Sequence, residues 1–115
     1  MKEIKAYIQR QLVNKVVAGL VQAGAPGITI VEIHPVGYGY EPNYFAFRAE
    51  DAYEQYSYLS IVRLEVVCSD HDLEPFVRLI EDLCRTGYKG DGRIFVTEVI
   101  DAVRIRDGVR GVAAL

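Results

Sequence analysis

The hydrophobic period of this sequence changes twice in the same order, and that change limits the possible folds most. Residues 2–9 alternate, with Ile4, Ala6 and Ile8 on one side and Lys5 and Tyr7 on the other, the period of two of a half-buried strand. Residues 12–23 bring Leu12, Val13, Val16, Val17, Leu20 and Val21 onto one helical stripe; Asn14 and Lys15 face out, Gly19 weakens the pattern and Gly24 stops it. After Pro26-Gly27, the run ITIVEIH (28–34) predicts a β-branched strand, Ile28 and Ile30 pointing one way and Val31 and Ile33 the other. Residues 59–68 alternate again, Val62, Leu64, Val66 and Cys68 against Ile61, Arg63, Glu65 and Val67. Ser69-Asp70 caps a second helix, with Asp72 in a first turn that favours negative charge. Its stripe is Leu73, Phe76, Val77, Ile80, Leu83 and Cys84, and Gly87 is its expected end. RIFVTEVIDAVRIR (93–106) reads as one long fourth strand.

Strand, helix, strand, twice over, predicts an α+β, ferredoxin-like βαββαβ sandwich: a four-stranded antiparallel sheet with both helices on one face. The other face is left bare, and the second strand is apolar on both sides, so a further copy of the chain is expected to cover it. Half of the 115 residues are hydrophobic, enough for one domain over 1–115 to build a core without metal or disulfide staples.

Charge excludes several functions. Sixteen acidic and 13 basic residues give a net charge of -3, which argues against a nucleic-acid binder and a polybasic membrane anchor. No apolar run approaches a membrane span, and the N-terminus alternates like a strand rather than a signal peptide, so a soluble cytoplasmic protein is expected. Cys68 and Cys84 have no metal spacing and read as reduced, buried thiols. His34 and His71 fit a strand end and a helix first turn, and no metal site is expected.

Two stretches exceed what a small sandwich needs. The connection from Pro35 to Tyr58 is longer than the ~12–15 residues usual for a loop without a function. It carries Tyr38, Tyr40, Tyr44, Phe45, Phe47, Tyr53, Tyr56 and Tyr58, together with Glu41, Glu50, Asp51 and Glu54 against the single cation Arg48. Such rings either pack on an assembly surface or dock a partner protein, and Asp51–Tyr58 is a candidate short helix. The second stretch is Thr86-Gly87-Tyr88-Lys89-Gly90-Asp91-Gly92-Arg93. Its glycines let backbone N–H groups face an anion. It follows a helix C-terminus, whose dipole repels anions, so it is no Walker A loop and phosphate binding there needs cations. Lys89 and Arg93 lie within it; Arg104 and Arg106, two apart on the expected strand, share a face and suit bidentate phosphate contact.

T-x-x-x-G-D-G-R-I-F-V followed by V-R-I-R-D-G-x-R-G resembles the C-terminal signature of the PII family of nitrogen and energy signal transducers. M-K-x-I-x-A-x-I at the start and G-I-T-I-V-E later agree with it. The resemblance implies a homotrimer with adenine nucleotide (ATP, ADP or AMP) in three clefts between subunits. It places phosphates on Gly87, Gly90, Asp91, Gly92 and Arg93, where the family more often has lysine at the last position. Arg104 and Arg106 of a neighbouring subunit would grip the same phosphates, and adenine would lie near Thr29, Glu65 and Val67. The long connection corresponds to the family's T-loop, about 36–58, with Gly37 at its root and a C-terminal tail over 104–115. That loop would dock a target protein, by family habit a membrane transporter or metabolic enzyme. Where the family has G-F-G-R-Q at the loop root, this chain has Pro35-Val36-Gly37-Tyr38-Gly39, and the family's lysine near the loop's end corresponds to Ile61. The glutamine, arginine and lysine that hold magnesium and 2-oxoglutarate are thereby replaced, so that effector is expected to be lost and magnesium is left open. Nothing marks a nucleophile–base pair, and no enzyme is expected. The alternatives are slow ATP hydrolysis, with Asp91 or Glu65 orienting a water, and a structural or metal-related trimer of the CutA type.

Overall fold

The computed structural model describes residues 1–35, 61–88 and 90–115. Gly37, Tyr38, Tyr40, Tyr44, Phe45, Phe47 and Tyr53, the candidate helix 51–58 and Lys89 lie outside the described residues. The described elements are β1 (Lys2–Gln9), α1 (Val13–Gln22), β2 (Thr29–Glu32), β3 (Ile61–Cys68), α2 (Asp70–Cys84) and β4 (Arg93–Glu98). They form one antiparallel sheet in the order β2-β3-β1-β4, the arrangement expected from the double strand–helix–strand pattern.

Register follows from the alternation. Ile4 pairs with Val66, Ala6 with Leu64 and Ile8 with Val62, so six apolar side chains share one face. Val13, Val16 and Leu20 of α1 and Phe76, Ile80 and Cys84 of α2 close that face into a single core. Full burial of side chains of this size is worth ~1.5–3 kcal/mol each, which makes this layer the main source of stability. Gly19 weakens α1 intrinsically but has a packing reason: a β-carbon there would sit 3.1 Å from Leu79 Cδ2 of α2, so the glycine lets the helices approach. Ser69 caps α2 by accepting the Asp72 N–H, as the sequence predicts.

Four expectations are corrected. Val21 belongs to the predicted stripe but is 62% exposed, because α1 faces the core along Val13, Val16, Val17 and Leu20. The second strand spans four residues instead of seven, since β2 is an edge strand that pairs only with β3. Helix α2 ends at Cys84, with Arg85 already extended, three residues before Gly87. The fourth strand stops at Glu98 instead of 106. Beyond it the chain turns back on itself: Val103 pairs with Arg110, the Gly108 N–H bonds the Arg104 carbonyl at 2.8 Å, and Gly108 has φ +74°. Arg104 and Arg106 therefore sit in a hairpin turn and do not project together from one strand face.

The face opposite the helices carries Tyr7, Arg63, Glu65 and Phe95. The Tyr7 and Phe95 rings meet edge to face at 5.7 Å, and the Arg63 guanidinium lies 6.0 Å from the Tyr7 ring centre. The interaction with Tyr7 is the first cause that raises the Arg63 pKa, ahead of the neighbouring Glu65 charge.

Candidate functional site

Two groups of predicted site residues form toward opposite edges of the sheet, one on β2 and β3 and one at the start of β4. At the β1 C-terminal end lies the glycine loop. Its geometry is set from inside by Asp91, whose carboxylate accepts the Thr86 N–H at 2.8 Å, the Gly87 N–H at 3.0 Å and the Thr86 hydroxyl. The hydroxyl, then the two N–H groups, hold the Asp91 pKa below the usual carboxylate range. Gly92 is required for a different reason. Its φ is +98°, and a β-carbon there would stand 1.7 Å from the Tyr7 carbonyl oxygen, so only glycine lets the loop close onto β1. Asp91, Gly92 and Arg93 then form one wall of a cleft of about 430 Å³, opposite the C-terminal half of α2.

At the β2 edge, Thr29 of β2 stands directly opposite Glu65 of β3. With Val67, Glu3, Gly27 and the C-terminal Leu115 they line a hollow of about 290 Å³. The three residues expected near an adenine ring are thus in one place. The C-terminal hairpin lies beside them through its last turn: Arg104 Nη1 donates to the Ala113 carbonyl at 3.4 Å, two residues before Leu115. Arg104 is held by Asp107, from Nε at 3.1 Å and from Nη2 at 2.9 Å. Arg106 Nη2 stands 3.9 Å from the same carboxylate, on a side chain that is 78% exposed. Arg104, followed by the Val109 N–H, keeps Asp107 ionised below the ordinary carboxylate range.

Within one chain these groups line different hollows. Thr29 lies on β2 and Arg93 on β4, the two edge strands of the order β2-β3-β1-β4, three strand spacings or roughly 14 Å apart across the sheet, and Gln9 of β1 bonds Gly90 on the β4 side. The sequence reading did not include Asp107, Leu115 or Gln9. An available signal for the first was Asp107-Gly108, a turn dipeptide that marks a hairpin where the alternation suggested a strand.

The model of the family described as nitrogen regulatory protein P-II matches residues 1–109. The chain belongs to the P-II family. It is 37% identical to nitrogen regulatory protein P-II 1 of Methanothermobacter thermautotrophicus, over 96% of this chain and 94% of the relative. It is 33% identical to nitrogen regulatory protein P-II of Rhizobium meliloti over the whole of both chains, and 35% identical to that of Azospirillum brasilense over 96% of each. Membership in P-II makes this a regulatory, signal-transducing protein. Among the described residues no helix is long and apolar enough to cross a membrane, and no three His, Cys, Asp or Glu side chains gather as metal ligands. Ile61, the first residue of β3, is 4% exposed and apolar.

Proposed function

We propose that this P-II protein binds an adenine nucleotide, ATP, ADP or AMP, at clefts between the subunits of a homotrimer, and that occupancy sets how its long loop engages a target protein. The whole chain, 1–115, acts as one P-II domain, with the T-loop at about 36–58, the glycine loop at 86–93 and the C-terminal tail at 104–115. The observation that carries this reading is the separation of the two half-sites. Thr29, Glu65 and Val67 share a hollow with Leu115 on the β2 side, and the Arg104 hairpin adjoins it, while the glycine loop leads into β4 at the opposite edge of the sheet. One chain offers a base pocket with arginines and, elsewhere, a loop of glycines with Arg93, so a second chain must complete each site.

The chemistry of the halves is complementary. Thr29 and Glu65 supply polar contacts in a hollow walled by Val67 and Leu115, which suits a flat base with polar edges. Arg93, Arg104 and Arg106 supply the charge that a polyphosphate requires on leaving water. Asp91 holds the loop rather than a reacting group, and the protein works by binding, not turnover. The loop responds through a population shift, which requires that nucleotides bind its conformations unequally. The target is a membrane transporter or a metabolic enzyme.

Calorimetric titration with ATP, ADP, AMP and cyclic AMP, with and without 2-oxoglutarate, tests this. Micromolar binding of adenine nucleotides is expected, with no effect of 2-oxoglutarate, because Ile61 gives that dianion no cation. Arg104→Ala should weaken ATP by about tenfold or more, as loss of a charge-assisted hydrogen bond costs ~1.5–3 kcal/mol. Absence of nucleotide binding by the wild-type protein overturns the reading.

A further inference from the structure

Where β1 ends, two consecutive residues, Gln9 and Arg10, touch three separate parts of the molecule. The Gln9 side-chain amide donates to the Gly90 carbonyl of the glycine loop at 3.1 Å. Its oxygen accepts from Gln11 Nε2 at 2.5 Å, which fixes the amide with its nitrogen toward the loop. Gln9 itself pairs with Ile61, the first residue of β3. The next residue, Arg10, forks onto Glu32, the last residue of β2, with Nη1 2.8 Å from Oε1 and a second bond from Nη2 to Oε2. Glu32 and Ile61 are the strand ends that flank the segment 36–60.

Gly90 has φ +98°, and among the described residues nothing lies within 4 Å of where its β-carbon would be, so none of them packs against this turn. Asp91 ties the loop to itself at Thr86 and Gly87; Gln9 ties it to the sheet.

We propose that Gln9 is a positioning residue that couples the glycine loop to both roots of the long connection. It rests on the nucleotide reading above. A phosphate drawing the Gly90 amides toward it moves the Gly90 carbonyl, the Gln9 amide follows, and the shift reaches Ile61 through the strand pair and Glu32 through Arg10.

Hydrogen exchange at saturating ATP, so that affinity changes do not intervene, tests this on peptides covering 28–35 and 61–68. In the wild-type protein ATP should slow exchange in both by at least ~threefold. Gln9→Met, near in size but without a donor, should lose that response in both peptides. Gln9→Lys, which restores a donor, should recover it. Gln11→Ala, at an exposed position that leaves the core untouched, should reduce it. An ATP response in Gln9→Met equal to that of wild type overturns the proposal. So does a wild-type protein that binds ATP with no change at either root, and in that case the nucleotide reading stands. A wild-type protein that binds no ATP removes both.

Discussion

Replacing Gly92 by alanine sets a methyl carbon 1.7 Å from the Tyr7 carbonyl oxygen and 2.9 Å from its carbonyl carbon. Both are backbone atoms of a strand paired on each side, with β3 and with β4, so no rotamer change relieves the overlap. The φ of +98° adds ~1–2 kcal/mol for a residue with a β-carbon. Together, clash and strain should cost on the order of 3–5 kcal/mol, at the upper end of single-site effects. Gly90 is the internal control: it has the same φ of +98° with no described residue near its β-carbon position, so Gly90→Ala should lose only the backbone share, ~1–2 kcal/mol. Urea unfolding at one fixed protein concentration measures both and keeps any association between chains from entering the comparison. Equal losses for the two variants would refute the claim that Gly92 is set by its approach to β1.

The Thr86 hydroxyl and the loop N–H groups hold Asp91 below its ordinary value of 3.8, so its stabilising share is complete above that value and is lost as pH falls through the lower, folded value. Asp91→Asn should therefore lower Tm at neutral pH and show a shallower fall in Tm below about pH 4; parallel pH profiles for variant and wild type would contradict this. Burial is the first cause of the raised pKa of both Cys68 and Cys84, at 0% and 5% exposure. A thiol reagent at pH 8 should label neither in the folded protein and both after unfolding; rapid labelling of the native protein would contradict the placement.

The sheet and both helices were legible because each buries one face, and burial imposes a period on the sequence. Where burial is incomplete, the pattern misled. Val103 and Ile105 continue the alternation of β4, yet Ile105 is 99% exposed, and the turn at Asp107-Gly108 decides the backbone. The glycine loop was legible as a turn, but not the reason for Gly92, which depends on a carbonyl 85 positions earlier in the chain. The grouping of Thr29, Glu65 and Val67 came from family resemblance, since residues 36 positions apart carry no local signal, and strand register brings them together. Gln9 left no trace in the sequence: its bond to Gly90 spans 81 positions and involves a backbone acceptor.

The central claim is that glycine loop and arginine hairpin belong to different chains at each site. Arg93→Ala disables the loop side and Arg104→Ala the hairpin side. Co-assembling the two variants in equal amounts and counting ATP sites by calorimetry tests the claim directly. The account predicts that each variant alone binds weakly and that the mixture regains about one quarter of the sites at wild-type affinity, the statistical share when the defects fall on opposite sides of a head-to-tail interface. A mixture that binds no better than the variants apart would contradict it.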